Sequence, residues 1–366
     1  MSEKTPECVK RAAEADPYFC GVALDRLAGE RDDDAAMEAL RKDAHAVALL
    51  FNADTGARVC LAPTGALVRI PLSAAMALPG AADDAVAFLG LDRSSAPETA
   101  PVPLFAVLCD EQAALDTACA PPAGPVPPGS AFVDVLRTAQ GRGGNSTAAP
   151  LARADAGVAA YGALMVRQHV RGVRGARHCA ACGAPTEARG AGTRRHCPVC
   201  ARDVFTRTDP VAIVLVVDAA GAGTRTLLVR KPQYVPRTRH TCVAGFVEPG
   251  ESAEEAAVRE VREETGVAVD RASVRFVASQ PWPSPLGSQL MLGFMCRARA
   301  DSAPPRPDPA ELDDARWFSL DEVRAALAAA DPAADPLFSV PGPWALAHTM
   351  LARWVQQMDA GTLHWD

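Results

Sequence analysis

Four cysteines constrain this chain more tightly than any other feature. Cys179-x2-Cys182, fourteen further residues and then Cys197-x2-Cys200 set out four soft thiolates so that a short hairpin can close a tetrahedron around Zn2+. Gly183 suits the tight turn after the first pair. The intervening segment is polar and Gly-rich, with no core of its own, whereas structural zinc supplies about 10–16 kcal/mol of folding free energy in small modules. Four protein ligands leave no open coordination position, so the zinc is read as structural, one ion per chain. Arg177, Arg189, Arg194 and Arg195 raise a nucleic-acid reading of the same ribbon, but no aromatic residue is interleaved with them, and a solvated surface is the expectation. The other seven cysteines, Cys8, Cys20, Cys60, Cys109, Cys119, Cys242 and Cys296, are expected to be ordinary buried thiols.

At 366 residues, nearly half of them apolar, the chain has material for two or three domains. Its net charge of −7 gives no overall basic field to attract nucleic acid or an anionic membrane. The longest apolar runs, AVALLF at 46–51 and AIVLVV at 212–217, are strand-sized and far too short to span a bilayer. MSEKTPECVKRAAEAD lacks the apolar core of a signal peptide, and the final LHWD is no peroxisomal address. The expectation is a soluble cytoplasmic protein with no membrane partner. APPAGPVPPGS at 120–130 and GRGGNSTAAP at 141–150 read as loops. They divide the chain into an N-terminal α/β domain over 1–150, a helical connector over 151–174, the ribbon over 175–205 and a C-terminal domain over 206–366. Strand-like AVALLF and ALVRIPL alternate with helix-like DAAMEALRKDA in the first of these, which makes the class α/β, of the α+β kind.

Chemistry concentrates in GFVEPGESAEEAAVREVREETGV at 245–267. Ser252 and Glu255 form a capping box, the Ala/Val/Glu/Arg run favours helix, and Gly266 supplies a left-handed stop, so a helix is predicted over 253–265. Ala256, Ala257 and Val261 are its expected buried positions. Glu260, Glu263 and Glu264 then share one side, with neighbouring Cβ atoms roughly 5–6 Å apart. On a solvated face such crowding costs only a few tenths of a kcal/mol, but in a cleft of effective dielectric near 20 each pair repels by roughly 3 kcal/mol. Bound cations would remove that cost, and oxygen ligands favour a hard ion such as Mg2+ or Mn2+.

The whole spacing, Gly245, five residues, Glu251, seven residues, then Arg259-Glu260-Val261-Arg262-Glu263-Glu264-Thr265-Gly266-Val267, resembles the signature of the Nudix hydrolases. The resemblance implies a Nudix fold, a mixed sheet between helices, that hydrolyses a nucleoside diphosphate linked to another group. It makes Glu260 and Glu264 metal ligands and Glu263 the general base or a third ligand, with Glu251 and Arg259 pairing to hold the loop. Ser279-Gln280-Pro281-Trp282-Pro283 follows about a dozen residues on. Its prolines exclude a central strand and predict a rigid loop that holds out the indole. Together with the upstream ribbon, RTDP at 207–210, AGFVEPGE at 244–251, DPAEL at 308–312, ARWF at 315–318 and LDRLAGERDD at 24–33, this run resembles the NADH pyrophosphatase branch, also described as NAD-capped RNA hydrolases.

That likeness implies that Phe246 and Trp282 sandwich the nicotinamide ring, that Gln280, Ser288, Phe205 and Ala347 also contact substrate, Ala347 through its backbone, and that Glu311 is a late metal ligand. It also implies a homodimer. Ser284 replaces the usual aromatic, Leu286-Gly287 reads as an insertion, Phe205 stands where tyrosine is common and Thr206 where proline is. The expected activity is metal-dependent cleavage of NADH, NAD+ and NAD-capped RNA to a nicotinamide mononucleotide plus AMP or 5′-monophosphate RNA. Two alternatives are a Nudix hydrolase preferring ADP-ribose or another nucleoside diphosphate derivative, and a non-catalytic zinc-ribbon sensor of nucleotide or nucleic acid. The complete set Glu260, Glu263 and Glu264 speaks against the second.

Overall fold

The computed structural model describes residues 5–17, 19–22, 24–52, 58–81, 86–93, 100–118, 126–128, 130–135, 151, 153–167, 177–190, 192–219, 223–233, 237–284, 287–329 and 338–365. They form two compact units, one of Met1–Tyr18, Asp209–Pro281 and Gln289–Asp366, the other of Phe19–Thr208 and Trp282–Ser288. No helix among the described residues is long and apolar enough to cross a membrane.

The unit of Phe19–Thr208 is built on a seven-stranded sheet of β1 (Leu24–Asp25), β2 (Val47–Asn52), β3 (Arg58–Leu61), β4 (Arg69–Pro71), β5 (Val86–Asp92), β6 (Val102–Cys109) and β7 (Ala131–Asp134). The order is β1-β5-β6-β2-β3-β7, with β4 also on β2. β2 runs parallel to β6, and β1–β5, β5–β6, β2–β3, β2–β4 and β3–β7 are antiparallel, so the sheet is mixed. AVALLF is continuously apolar because β2 is covered on both faces. Ala48 and Leu50 face a cluster with Met37, Leu72 and Ala75, while Phe51 meets the helix Arg153–Met165, where a Cβ on Gly162 would lie 2.6 Å from the Phe51 ring. The Ala-rich run therefore packs on this sheet. Three short strands, β8 (Glu187–Arg189), β9 (Arg194–His196) and β10 (Asp203–Phe205), form the separate antiparallel sheet β10-β9-β8.

The other unit carries β12 (Arg225–Arg230), β13 (Val243–Phe246), β16 (Asp314–Ser319) and most of β11 (Thr208–Val217), β14 (Arg275–Ser284) and β15 (Gly287–Arg297), in the order β14-β15-β11-β12-β16 with β13 also paired to β11. AIVLVV lies in β11 and splits by its two-residue period. Ile213, Leu215 and Val217 join the terminal helix Leu346–Ala360, and Ala212, Val214 and Val216 join Ala256, Ala257 and Val261 of the helix Ala253–Thr265. The sheet thus lies between helices. Val9 and Ala13 of the helix Glu7–Glu14 are buried in the same core as the terminal helix, and Arg353 Nε donates to Ala13 O at 2.9 Å. A linear reading of 1–150 did not foresee that placement.

Two expectations need correction here. The SQPWP run is strand, not loop: it ends β14, at the edge of its sheet, where prolines remove no ladder bond that a second neighbour would need. Cys60, Cys109, Cys242 and Cys296 are buried thiols as expected, but Cys8 is exposed on its helix and Cys20 only half-buried. Cys119 lies outside the described residues.

Candidate active site and cysteine ribbon

The acidic helix spans Ala253–Thr265, with both hydrogen bonds of the Ser252/Glu255 capping box made and Gly266 at φ 70°. Ala256, Ala257 and Val261 are buried, as the sequence predicts. The three carboxylates nevertheless occupy different environments. Glu264 is 2% exposed, Glu260 is largely buried, and the Glu263 side chain is 60% exposed. Helical period explains the difference, since Glu264 follows Ala257 and Val261 at offsets of seven and three on the face turned to the sheet.

Two cations of the chain itself offset the repulsion that the sequence assigned to bound metal. Arg259 donates through Nε and Nη2 to both oxygens of Glu251 at 2.6 and 2.8 Å, and through Nη2 to Phe246 O at 2.9 Å. Its Nη1 bridges Glu260 at 2.8 Å and Glu263 at 2.9 Å. Lys231, just after β12, donates to Glu264 Oε1 at 3.1 Å and to Ala244 O at 3.3 Å. Sequence reasoning missed Lys231 because one lysine after an apolar strand carries no signal of its partner. Gly245 has its reason here as well: an added Cβ would sit 2.0 Å from the Glu260 carboxyl carbon.

These cations leave the site incompletely neutralised. Burial raises Glu264 to about 7 against the lowering effect of Lys231, with Glu260 and Glu311 adding to the rise. Burial likewise raises Glu260. Glu264 Oε2 is buried and has no hydrogen-bond partner among the described residues. A hard divalent ion would satisfy that oxygen, and an all-carboxylate donor set fits Mg2+ or Mn2+. The carboxylates are not drawn into one tight cluster; among the described residues only the four cysteines bring three or more ligand atoms within 4.8 Å of one another. Glu311 follows the turn that closes on Asp308 and is exposed.

The residues expected to contact substrate divide by burial. Phe246, ending β13, is 51% exposed, and Phe205, ending β10, is 65% exposed. Trp282 is half-buried, its ring edge-on to Phe19 with centroids 6.1 Å apart. Ser288 is buried and accepts from Thr208 Oγ1 at 3.2 Å. Gln280 is fully buried: its Nε2 donates to Trp344 O at 3.0 Å and its Oε1 accepts from Leu346 N at 2.8 Å, which caps the terminal helix. Ala347 faces the hydrophobic core from that helix. Leu286 and the side chain of Ser284 lie outside the described structure.

The ribbon is a pair of matching turns. Gly183 N donates to Cys179 O at 2.8 Å and Ala201 N to Cys197 O at 2.9 Å, with φ of 73° at Gly183 and 57° at Ala201. Sγ atoms approach to 3.4 Å for Cys179–Cys200 and 3.5 Å for Cys182–Cys197. Tetrahedral Zn2+ with Zn–S near 2.3 Å needs sulfurs about 3.8 Å apart, close to this set. Backbone N–H groups of Ala181 and Cys182 hold Cys179 down at about 6 and those of Cys200 and Val199 lower Cys197, whereas the thiols they face are raised, Cys182 by Cys197, and Cys200 by Cys179 to about 12. The ribbon arginines are engaged: Arg195 is buried against Thr186, Arg194 pairs with Asp32 and Asp203, and Arg189 pairs with Asp34 and Glu187.

Comparison with known proteins agrees with this geometry. The NUDIX domain model matches residues 207–339. Nudix hydrolase 19, chloroplastic, of Arabidopsis thaliana is 39% identical over 217 residues, covering 49% of this chain and 48% of that protein. The NAD-capped RNA hydrolase NudC of Stutzerimonas stutzeri is 42% identical over 149 residues, 41% of this chain and 50% of that one. The NAD-capped RNA hydrolase NUDT12 of Homo sapiens is 37% identical over 210 residues, 55% of this chain and 42% of that one. The chain therefore spans about half the length of the curated relatives it matches. Residues 207–339 thus match a NUDIX domain with its acidic helix intact, and the ribbon upstream carries four cysteines that fit zinc.

Proposed function

We propose that this protein is a metal-dependent dinucleotide pyrophosphatase that cleaves NADH and NAD+, and NAD-capped RNA by the same reaction. The observation that carries the proposal is the buried Oε2 of Glu264, without a hydrogen-bond partner among the described residues, beside the desolvated Glu260. A non-catalytic sensor has no use for so costly an arrangement. Glu260, Glu264 and Glu311 would hold Mg2+ or Mn2+, with Glu263 as a further ligand or the base. When bound, the metal neutralises the pyrophosphate and polarises its phosphorus. Arg259 keeps Glu260 and Glu263 in register, and Glu263, the most exposed of the three carboxylates, is the one that would act as base toward the attacking water. The water oxygen joins one phosphorus, the P–O–P bridge opens, and two monophosphates leave. Phe246, exposed at the end of β13, and Trp282 would supply flat faces for a nicotinamide, with Phe205 and Ser288 as secondary contacts, while Gln280 and Ala347, both buried, would serve by holding the terminal helix in place. Four-cysteine zinc serves the fold. The assembly is a homodimer and the setting cytoplasmic.

A substrate panel with Mg2+ and Mn2+, read by product identity, tests the reading. NADH should give reduced nicotinamide mononucleotide and AMP, and NAD-capped RNA should give 5′-monophosphate RNA, both only with metal. Faster cleavage of ADP-ribose than of NADH would transfer the assignment to that substrate, and no cleavage of any of them at saturating metal would end it.

A further inference from the structure

Phe19 combines three features that neither the acidic helix nor the ribbon explains. Its backbone is left-handed at φ 65°, a conformation that a bulky aromatic residue adopts only under constraint. Its side chain is 1% exposed. Its ring stands edge-on to Trp282, with an interplanar angle of 87°. The constraint is visible at Gly157 of the helix Arg153–Met165, where an added Cβ would lie 2.9 Å from Cys20 O and 3.2 Å from Phe19 O. That helix therefore presses directly on the segment carrying Phe19, and Gly21 at φ 80° continues the turn.

We propose that Phe19 is a positioning residue that fixes the indole plane of Trp282, so that a residue distant in sequence from the NUDIX domain sets discrimination for the ring-bearing half of a dinucleotide. The proposal rests on the reading of Trp282 as the stacking surface for nicotinamide. Edge-to-face aromatic pairs have a preferred geometry beyond simple burial, and losing one lets the partner ring reorient. The strained backbone and the close helix contact at Gly157 hold the ring of Phe19 where that geometry is met.

The test is steady-state kinetics of full-length Phe19→Leu on NADH and on ADP-ribose, which has no nicotinamide, with Trp282→Ala in parallel. Phe19→Leu should raise KM for NADH about three- to tenfold, with kcat for NADH and KM for ADP-ribose within about twofold. In protein labelled with 5-fluorotryptophan, the 19F resonance that Trp282→Phe removes should shift or broaden in Phe19→Leu. If Phe19→Leu does not fold, Phe19→Met fills the site with an unbranched chain and carries the same expectation. An unchanged resonance and unchanged NADH KM, while Trp282→Ala still loses NADH selectively, overturn the role of Phe19 and leave the stacking reading standing. Equal losses on both substrates in Trp282→Ala overturn the stacking reading and this proposal with it.

Discussion

Glu264 is the residue on which most of the site's electrostatics turn. Its carboxylate is buried, tied by one oxygen to Lys231 and, among the described residues, unpartnered at the other. Glu264→Gln removes a proposed metal ligand, so turnover on NADH should fall about a hundredfold or more while the zinc and the fold remain. Near wild-type rates at saturating Mn2+ would refute its role. The same residue carries a pH signature in metal-free protein. Its folded pKa of about 7 stands above the 4.5 of an unperturbed glutamate, so between those values the folded state binds more protons than the unfolded one, and stability falls as pH rises. Melting temperature should therefore drop between about pH 5 and pH 7.5, and Glu264→Gln should flatten that slope. An unchanged slope in the variant would assign the effect elsewhere.

At the scale of elements, the ribbon's two turns are alike in hydrogen bonding and unlike in residue. Gly183 takes its left-handed conformation freely, whereas Ala201 takes φ 57° against the clash of its own Cβ. Ala201→Gly should stabilise the zinc-loaded protein by up to about 1 kcal/mol, measured by chemical denaturation. Any loss of stability would mean that the Ala201 methyl packs usefully. Cys197→Ser should release zinc and lower the melting temperature, with activity lost through unfolding. A variant with the wild-type melting temperature and no activity would instead put the zinc in the chemistry.

At the scale of the whole molecule, the first helix is packed with the last. Val9 is 1% exposed in the core built by the terminal helix, so Val9→Asp buries an unpaired charge and should destabilise that unit by about 3 kcal/mol or more. Hydrogen exchange along Leu346–Ala360 is the measurement, and undiminished protection there would contradict the packing.

Sequence by itself determined the features that depend on near neighbours. The helix Ala253–Thr265 was legible because the Ser252/Glu255 box and the Gly266 stop act within a few residues, and the ribbon because its cysteine spacing closes on itself. The Glu251–Arg259 pair followed from its place in a recognised pattern. Tertiary structure alone decided which of three similar glutamates is buried, because that depends on which face of the helix the sheet covers. It also decided that Lys231 stands against Glu264, that Gln280 caps a helix more than sixty residues on, that Ala347 is core, and that Phe19 meets Trp282. Such pairs are joined across long stretches of chain by packing, and packing satisfies shape and burial over the whole fold, which no local spacing records.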